Sequence, residues 1–239
     1  MKKYTWTVFF CMAACTAAVT AGIGSYRAVT AAAKNGPVFS QSQRLILDAG
    51  HGGFDGGATG TNGVLEKDIN LAVTQKTASL SRLLGFSVET VRNEDVSVND
   101  EGLSTLREKK VSDIHNRLAL TKRYPDAIFV SIHQNFFPQS SCKGTQVFYS
   151  VNHPAGEHLA KCLQKGIVSF LQPDNSRAIK PAEKNLYILY HAKTPALLIE
   201  CGFLSNAEEC ELLCTEKYQQ ELAFGIVCSL LEGIRQTDA

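Results

Sequence analysis

The chain has 239 residues, of which 44% are hydrophobic and 20% are charged, so its length suits one domain with a sizeable core. Its 24 basic and 23 acidic residues give a formal net charge of +1. This balance argues against a basic surface for nucleic acid and against an acidic tail, so we expect no nucleic-acid partner.

The first 35 residues differ from the rest of the chain. Lys2 and Lys3 precede an uncharged run from Tyr4 to Tyr26, and a positive flank before an apolar run is typical of an export signal. The length of the run favours a membrane anchor, because a bilayer span needs roughly 20 residues. We interpret residues 1–35 as a signal peptide or membrane anchor, 36–43 as a linker, and 44–235 as the catalytic domain.

Retention as an anchor is favoured over three alternatives, which stay open. Cleavage near the small residues 28–31 would release the domain, and Cys15 with the three residues before it resembles a weak lipid-attachment site. A buried core helix is the third interpretation, and the lysines at the very start argue against it.

Six of the eight cysteines follow the leader: Cys142, Cys162, Cys201, Cys210, Cys214 and Cys228. Six cysteines in an exported protein could form three disulfides. Four of them (162, 201, 214 and 228) lie in apolar, periodic segments, where a free thiol packs well as a small core residue. We therefore expect reduced, buried thiols. Cys210 and Cys214 lie one helical turn apart, but no second pair at zinc-finger spacing accompanies them.

Strands and helices alternate after residue 43. Strands are predicted at 44–49, 86–91, 127–132, 144–150, 185–190 and 195–201, and helices at 67–84, 112–124, 157–171, 207–213 and 216–234. This alternation predicts an α/β domain with a mostly parallel sheet and helices on both faces. In such sheets the functional residues gather beyond the carboxyl ends of the strands.

Four side chains suited to metal chemistry lie at the ends of these elements. His51 follows the first strand, His133 ends the third, Glu200 ends the last, and Glu66 begins the first helix. A hydrolytic zinc site typically takes three protein ligands and keeps one position for water. Two imidazoles and one carboxylate would serve as ligands, and the second carboxylate could move a proton.

The stretch LILDAGHGGFDGG surrounds His51 with glycines. Gly50, Gly52 and Gly53 permit positive φ and close approach of a substrate. The stretch lacks the Lys-Ser/Thr pair of a nucleotide P-loop and the order of a dinucleotide fingerprint. Either Asp48 or Asp55 could accept a hydrogen bond from the non-ligating imidazole nitrogen and fix its tautomer.

Each of the four residues also has a structural interpretation. A histidine that ends an apolar strand is commonly a core residue, and a glutamate suits the first turn of a helix. Glu200 is the exception, because an unpaired carboxylate is costly after a buried strand. We interpret the other histidines (His115, His153, His158 and His191) as structural or solvent-facing, and His191 as the one to reconsider as a substrate contact.

Five segments together resemble a known family, the zinc-dependent N-acetylmuramoyl-L-alanine amidases that cut peptidoglycan. They are LDAGHGGFDGGA, LEKDINLAV, TVRNED, NRLALTKRYPDAIFVSIHQN and PALLIECGFLSNAEE. The resemblance covers residues 44–234 and departs from the usual pattern at Ala49, where proline is common, and at Cys201, where an apolar residue is common.

The resemblance implies one zinc ion per chain, with ligands His51, Glu66 and His133 and a catalytic Glu200. It also implies a twisted, mainly parallel sheet of about six strands. The segment between Glu66 and His133 shows no long helical insertion of the kind that blocks the site in some cell-division amidases. The single-domain form looks most like the spore-cortex subgroup, whose members strip the peptide from muramic acid so that a deacetylase can complete muramic δ-lactam.

On this basis we expect hydrolysis of the lactyl amide between muramic acid and L-alanine, in an open groove. Asn135 and Asn206 could contact the substrate. The expected partners are peptidoglycan, the membrane through the N-terminal segment, a protein activator and a functionally coupled deacetylase. The expected location is extracytoplasmic, anchored or secreted, including the forespore intermembrane space. The alternatives are another zinc peptidoglycan hydrolase (a carboxypeptidase or deacetylase) and a non-catalytic, zinc-bearing domain that binds wall or a partner.

Overall fold

A six-stranded sheet forms the centre of the computed structural model, which describes residues 43–237. The strands are β1 (Arg44–Ala49), β2 (Ser87–Thr90), β3 (Ile128–Asn135), β4 (Gln146–Tyr149), β5 (Lys180–Pro181) and β6 (Ala196–Phe203). The helices are α1 (Glu66–Leu83), α2 (Leu106–Arg123), α3 (Ala155–Leu171), α4 (Tyr187–His191), α5 (Ala207–Leu213) and α6 (Glu216–Thr237). The expected single α/β domain is therefore confirmed.

The strand order is β2-β1-β3-β6-β4-β5, and only the β4–β6 pair is antiparallel. The parallel strands β1, β3 and β6 lie side by side in the middle. Their carboxyl ends therefore meet at one edge of the sheet, which is where ligands bind in open α/β sheets.

Alternate residues of the central strands pack on opposite faces of the sheet, as a period of two requires. Leu45, Val130 and Ile199 belong to a large cluster with α1, α3 and α6. Ile46 and Phe129 belong to a smaller cluster with α2 and α4. Both faces are covered by helices, which explains the continuous apolar runs of these strands.

The structure corrects two predicted elements. Residues 185–190 do not form a strand: α4 covers Tyr187–His191, and the sixth strand is instead the two-residue β5. A short apolar run is compatible with both a buried strand and one helical turn, so the sequence alone does not distinguish them. The predicted helix at 112–124 begins earlier, at Leu106, because Thr105 and Glu108 form a capping box.

All six cysteines of the described region are free, as predicted. Only Cys201 and Cys210 are buried, however, and Cys214 is exposed. The expectation of buried thiols is therefore confirmed only for Cys201 and Cys210. It was wrong for Cys214, which follows the last residue of α5, and Cys142, Cys162 and Cys228 are only half-buried.

The leader at 1–35 and most of the linker at 36–43 lie outside the described residues. Within residues 43–237, no helix is both long enough and apolar enough to cross a membrane.

The core can be tested with one substitution at two sites. Leu163 in α3 is fully buried, whereas Leu83 at the end of α1 is 81% exposed. We expect Leu163→Ala to lower the free energy of unfolding by about 2–5 kcal/mol, because it removes packed methyl groups and leaves a cavity. Leu83→Ala is the matched control and should change it by less than about 0.5 kcal/mol. Urea unfolding of the full chain measures both, and equal costs would contradict the placement of α3 in the core.

Candidate metal centre

His51 has an unusual backbone. Its φ is 62°, and it is the one non-glycine residue with positive φ among those the structure describes. Such a conformation costs about 1–3 kcal/mol and persists only where surrounding contacts enforce it. Gly52 and Gly53 follow with φ of 132° and 56°. The chain thus turns sharply after β1 and presents the imidazole at the edge of the sheet.

Gly50 serves a different purpose from the one predicted. It does not have positive φ, but a Cβ at this position would lie 2.2 Å from the ring of His133. Its N–H donates to the carbonyl of Ile132 at 3.1 Å. Glycine at this position therefore lets the ends of β1 and β3 approach each other around the His133 ring.

Three of the predicted site residues come together in one cluster. Glu66 lies between the two histidines: its Oε2 is 3.2 Å from His51 Nε2, and its Oε1 is 3.0 Å from His133 Nδ1. One ligand atom from each residue lies within 4.8 Å of the others, so this group could hold a metal ion. Two imidazoles and a carboxylate are the donor types that zinc takes in hydrolytic sites.

The Glu66 carboxylate is held from several directions. Ala58 N–H donates to its Oε2 at 2.9 Å, and Gln134 N–H donates to its Oε1 at 3.2 Å. Burial favours the neutral acid, but the hydrogen bonds to His133 and His51 outweigh burial and hold the pKa of Glu66 below its usual range. The carboxylate is therefore charged and fixed in position, as a metal ligand must be.

Asp55, and not Asp48, is the partner of His51. Asp55 Oδ2 lies 2.8 Å from His51 Nδ1, which leaves Nε2 directed at Glu66. Burial opposes charge on the imidazole, yet the hydrogen bonds to Asp55 and Glu66 raise the pKa of His51 to about 9. Without a metal the imidazolium therefore donates to both carboxylates; a metal ion would take the place of the Nε2 proton, and Asp55 would then keep the remaining proton on Nδ1 and fix the ring orientation.

Asp48 instead forms a buried ion pair with Arg117 of α2. Ser131 Oγ also donates to Asp48 at 2.6 Å. Burial raises the pKa of this carboxyl, but Arg117 and Ser131 more than offset it, so the pKa lies below its usual value. Arg117 further donates to the carbonyls of Ala49 at 2.9 Å and His51 at 2.7 Å.

Arg92 completes the support of this turn. Its guanidinium donates to the carbonyls of Ala49 at 2.9 Å, Gly50 at 3.1 Å and Lys67 at 2.8 Å. The sequence reasoning assigned no role to Arg92 or Arg117. Both lie in segments that carry the family resemblance, TVRNED and NRLAL, and this placement was the one indication in the sequence that they support the site.

Glu200 lies beside the cluster without joining it. It pairs in register with His133 across β3 and β6, so both side chains point to the same face of the sheet. Its Oε2 is sealed from solvent and has no hydrogen-bond partner among the described residues. Burial raises the pKa of Glu200 to about 7. A carboxyl group that is easily protonated next to a ligand cluster suits proton transfer.

The remaining candidates separate clearly. Asn206 caps α5: its Oδ1 accepts from Glu209 N–H at 3.1 Å and its Nδ2 donates to Ser140 O at 2.8 Å, so its role is structural. Asn135 is half-buried at the end of β3, next to the cluster, and stays a predicted substrate contact. His191 packs against Tyr187, with ring centroids 4.3 Å apart and the rings tilted by 52°, and it is not part of the cluster.

Comparison with known proteins gives one family. The profile of the N-acetylmuramoyl-L-alanine amidases matches residues 45–232. The chain is 33% identical over 187 residues to the germination-specific N-acetylmuramoyl-L-alanine amidase of Bacillus subtilis (strain 168). The aligned residues cover 78% of each chain.

Solved structures agree. The CwlD amidase of Clostridioides difficile, solved in complex with the GerS lipoprotein, is similar with a TM-score of 0.78 and 38% identity over 81% of this chain and 99% of that one. An N-acetylmuramoyl-L-alanine amidase from Clostridium difficile 630 is similar with a TM-score of 0.70 and 30% identity over 82% and 98% of the two chains.

The Asp55–His51 contact predicts a change in metal affinity. We expect Asp55→Asn to weaken zinc binding by about 10–100-fold, because the amide no longer fixes the imidazole as a charged acceptor. Competition with a chromophoric chelator measures the affinity in the full chain. Asp126→Asn, a surface change away from the cluster, should leave it unchanged. Equal affinity of Asp55→Asn and the unsubstituted protein would contradict the role of Asp55.

Proposed function

Because this chain belongs to the N-acetylmuramoyl-L-alanine amidase family and is an enzyme of that class, we propose that it cuts its peptidoglycan substrate with one zinc ion held by His51, Glu66 and His133. The bond cut is the amide between the lactyl group of N-acetylmuramic acid and L-alanine. The observation that carries the zinc proposal is the convergence of two imidazoles and one carboxylate from three distant segments within 4.8 Å.

The donor set fits zinc in its chemistry. Three protein ligands leave a coordination position open, which is the arrangement of catalytic and not of structural zinc sites. When bound there, zinc supplies a Lewis acid that polarises a carbonyl oxygen and makes water acidic at neutral pH. The chain contributes the geometry: Asp55 fixes the His51 ring, and the backbone N–H groups of Ala58 and Gln134 fix the Glu66 carboxylate.

Glu200 carries the proton in this proposal. Glu200 pairs in register with His133, and its Oε2 has no hydrogen-bond partner among the described residues. It removes a proton from the attacking water and delivers that proton to the departing amine of L-alanine. An amide requires protonation of its leaving group, so one carboxyl that acts first as base and then as acid matches the chemistry.

The biological setting is proposed from the relatives. Similarity to a germination-specific amidase and to a CwlD amidase favours a role in the spore cortex. The product would be muramic acid without its peptide, on which a deacetylase then acts to complete muramic δ-lactam. We place the enzyme outside the cytoplasm, anchored by its N-terminal segment or secreted, in the forespore intermembrane space.

A protein activator is part of the proposal. The CwlD relative was solved with a lipoprotein bound. The two chains are 38% identical over a region that covers 81% of this chain and 99% of the relative. We propose that a lipoprotein of similar kind assists this enzyme at the membrane surface.

Two substitutions separate the proton carrier from the metal ligands. Glu200→Gln should retain zinc and lower kcat by about 10²–10⁴-fold, because the amide cannot accept the proton. His133→Ala should lose zinc itself, because it removes one of three ligands. Metal content and stem-peptide release are measured on the same full-length preparations.

The two substitutions test separate parts of the proposal. Near-normal release of stem peptide by Glu200→Gln would remove Glu200 from the mechanism. Full zinc occupancy in His133→Ala would remove His133 from the ligand set. Release of D-alanine or acetate by the zinc-loaded protein, without free stem peptide, would contradict amide cleavage at L-alanine.

The cortex role predicts a substrate and partner dependence. The full-length zinc enzyme should release stem peptides from cortex-type peptidoglycan, alone or after addition of a sporulating-cell membrane extract. Rescue by the extract would support the activator. Vegetative peptidoglycan is the control, and equal cleavage of both walls without any addition would contradict the cortex role and the activator.

A further inference from the structure

Arg177 is a cation beside the site whose donors are mostly uncommitted. It lies between α3 and β5, half-buried, with its guanidinium carbon 4.8 Å from the ring centre of Phe203. Its Nη2 donates to Gln146 Oε1 at 2.7 Å. Its Nε is sealed from solvent and has no partner among the described residues. A guanidinium has five N–H donors; with Nε enclosed and one Nη2 donor bound to Gln146, three donors on the Nη atoms remain for a ligand.

The sheet places this guanidinium close to Glu200. Gln146 of β4 pairs in register with Glu200 of antiparallel β6. Directly paired residues of neighbouring strands point to the same face, with Cβ atoms about 4.5–5.5 Å apart. Arg177, which binds Gln146, therefore lies one side chain away from Glu200, on the β4–β5 flank of the site.

The cations that support the turn after β1 and the start of α1 are already engaged. Arg117 binds Asp48 and Asp113, and Arg92 donates to backbone carbonyls. Lys67 pairs with Asp95 at 2.7 Å, and Lys110 pairs with Asp55 at 3.1 Å. Within residues 43–237, no carboxylate pairs with Arg177. The nearby Glu209 accepts from Gly144 N–H and Phe203 N–H, and it forms no ion pair with Arg177 among the described residues.

The opposite flank has a different character. A cavity of about 170 Å³ adjoins His51 and His133 between α2 and α4. Its polar wall includes Asp48, Asp55 and Asp113, whose cationic partners are Arg117 and Lys110. Asp55 also pairs with His51, so each acidic group on this flank is matched by a cation that is already engaged. The flank therefore offers no free cation to a carboxylate and suits a neutral group.

The two halves of the substrate also differ in charge. On one side of the scissile amide is an uncharged N-acetylated sugar. On the other is a stem peptide whose second residue is glutamate-derived and carries a carboxylate, or a carboxamide where the wall is amidated. We propose that Arg177 binds this carboxylate, so that the peptide runs over the β4–β5 flank and the sugar lies over the α2–α4 flank. This inference rests on the proposed function and adds the substrate orientation and a specificity-determining residue.

The test varies the charge of the substrate. The full-length zinc enzyme is assayed on two glycan–peptide fragments that differ only in a free carboxylate or a carboxamide at the second peptide residue. Hydrogen bonds to charged groups are strong, so kcat/KM should favour the free acid by about tenfold. Equal kcat/KM on the two fragments overturns the inference and leaves the proposed function standing. Failure to cut either fragment rejects the proposed function and this inference with it.

Variants locate the preference. Arg177→Gln should reduce kcat/KM about tenfold on the free acid and change it less than about twofold on the carboxamide, mainly through KM. The matched control is Lys180→Gln, which removes an exposed cation three residues further on, at the same edge. That control should keep the preference. An equal loss on both fragments in Arg177→Gln, or a lost preference in Lys180→Gln, overturns the assignment. If Arg177→Gln does not fold, the comparison of the two fragments with the unsubstituted enzyme decides.

Discussion

The guanidinium of Arg117 is the constraint on which the site depends. It lies in the interior, where a charge is tolerated only when it is paired and hydrogen-bonded, and it binds Asp48 together with the carbonyls of Ala49 and His51. These bonds fix the chain on both sides of Gly50, so the left-handed conformation of His51 is enforced by the surrounding contacts and not by its own preference. Replacement of such a group would leave Asp48 as an unpaired buried charge, and the turn that carries His51 would lose its support.

The candidate metal cluster combines local and long-range order. His51 depends on the turn after β1, His133 on the register of β3, and Glu66 on the first turn of α1. Glu66 joins the two histidines, and its oxygens also accept from backbone N–H groups of two other segments. The candidate ligand atoms are thus arranged by hydrogen bonds of the protein itself, which would lower the entropy lost when an ion binds.

The sequence located the residues at strand ends better than it located their neighbours. The rule that parallel strands present functional groups at their carboxyl ends was sufficient to bring together His51, His133 and Glu200. It could not choose between Asp48 and Asp55, because both are near His51 in sequence and only the fold shows that Arg117, which is 66 residues from His51, binds the first. The strand predicted at residues 185–190 was wrong for another reason. One helical turn and a short strand can have the same apolar composition, and packing against β6 and α2 decides between them.

The two glutamates of the site show how position sets chemical role. Glu66 is buried and Glu200 is half-buried with its Oε2 shielded from water, and this burial alone would favour the neutral acid in each case. Glu66 touches both imidazoles and several N–H donors, so its pKa is held below the usual range and it stays charged, as the proposed ligand role requires. Glu200 has one unpartnered oxygen and a pKa raised by burial to about 7. Two carboxyl groups whose environments separate their pKa values can divide binding and proton transfer between them. The strand register places Glu200 opposite His133 while Glu66 already occupies the space between the histidines, and this arrangement leaves Glu200 available to move a proton.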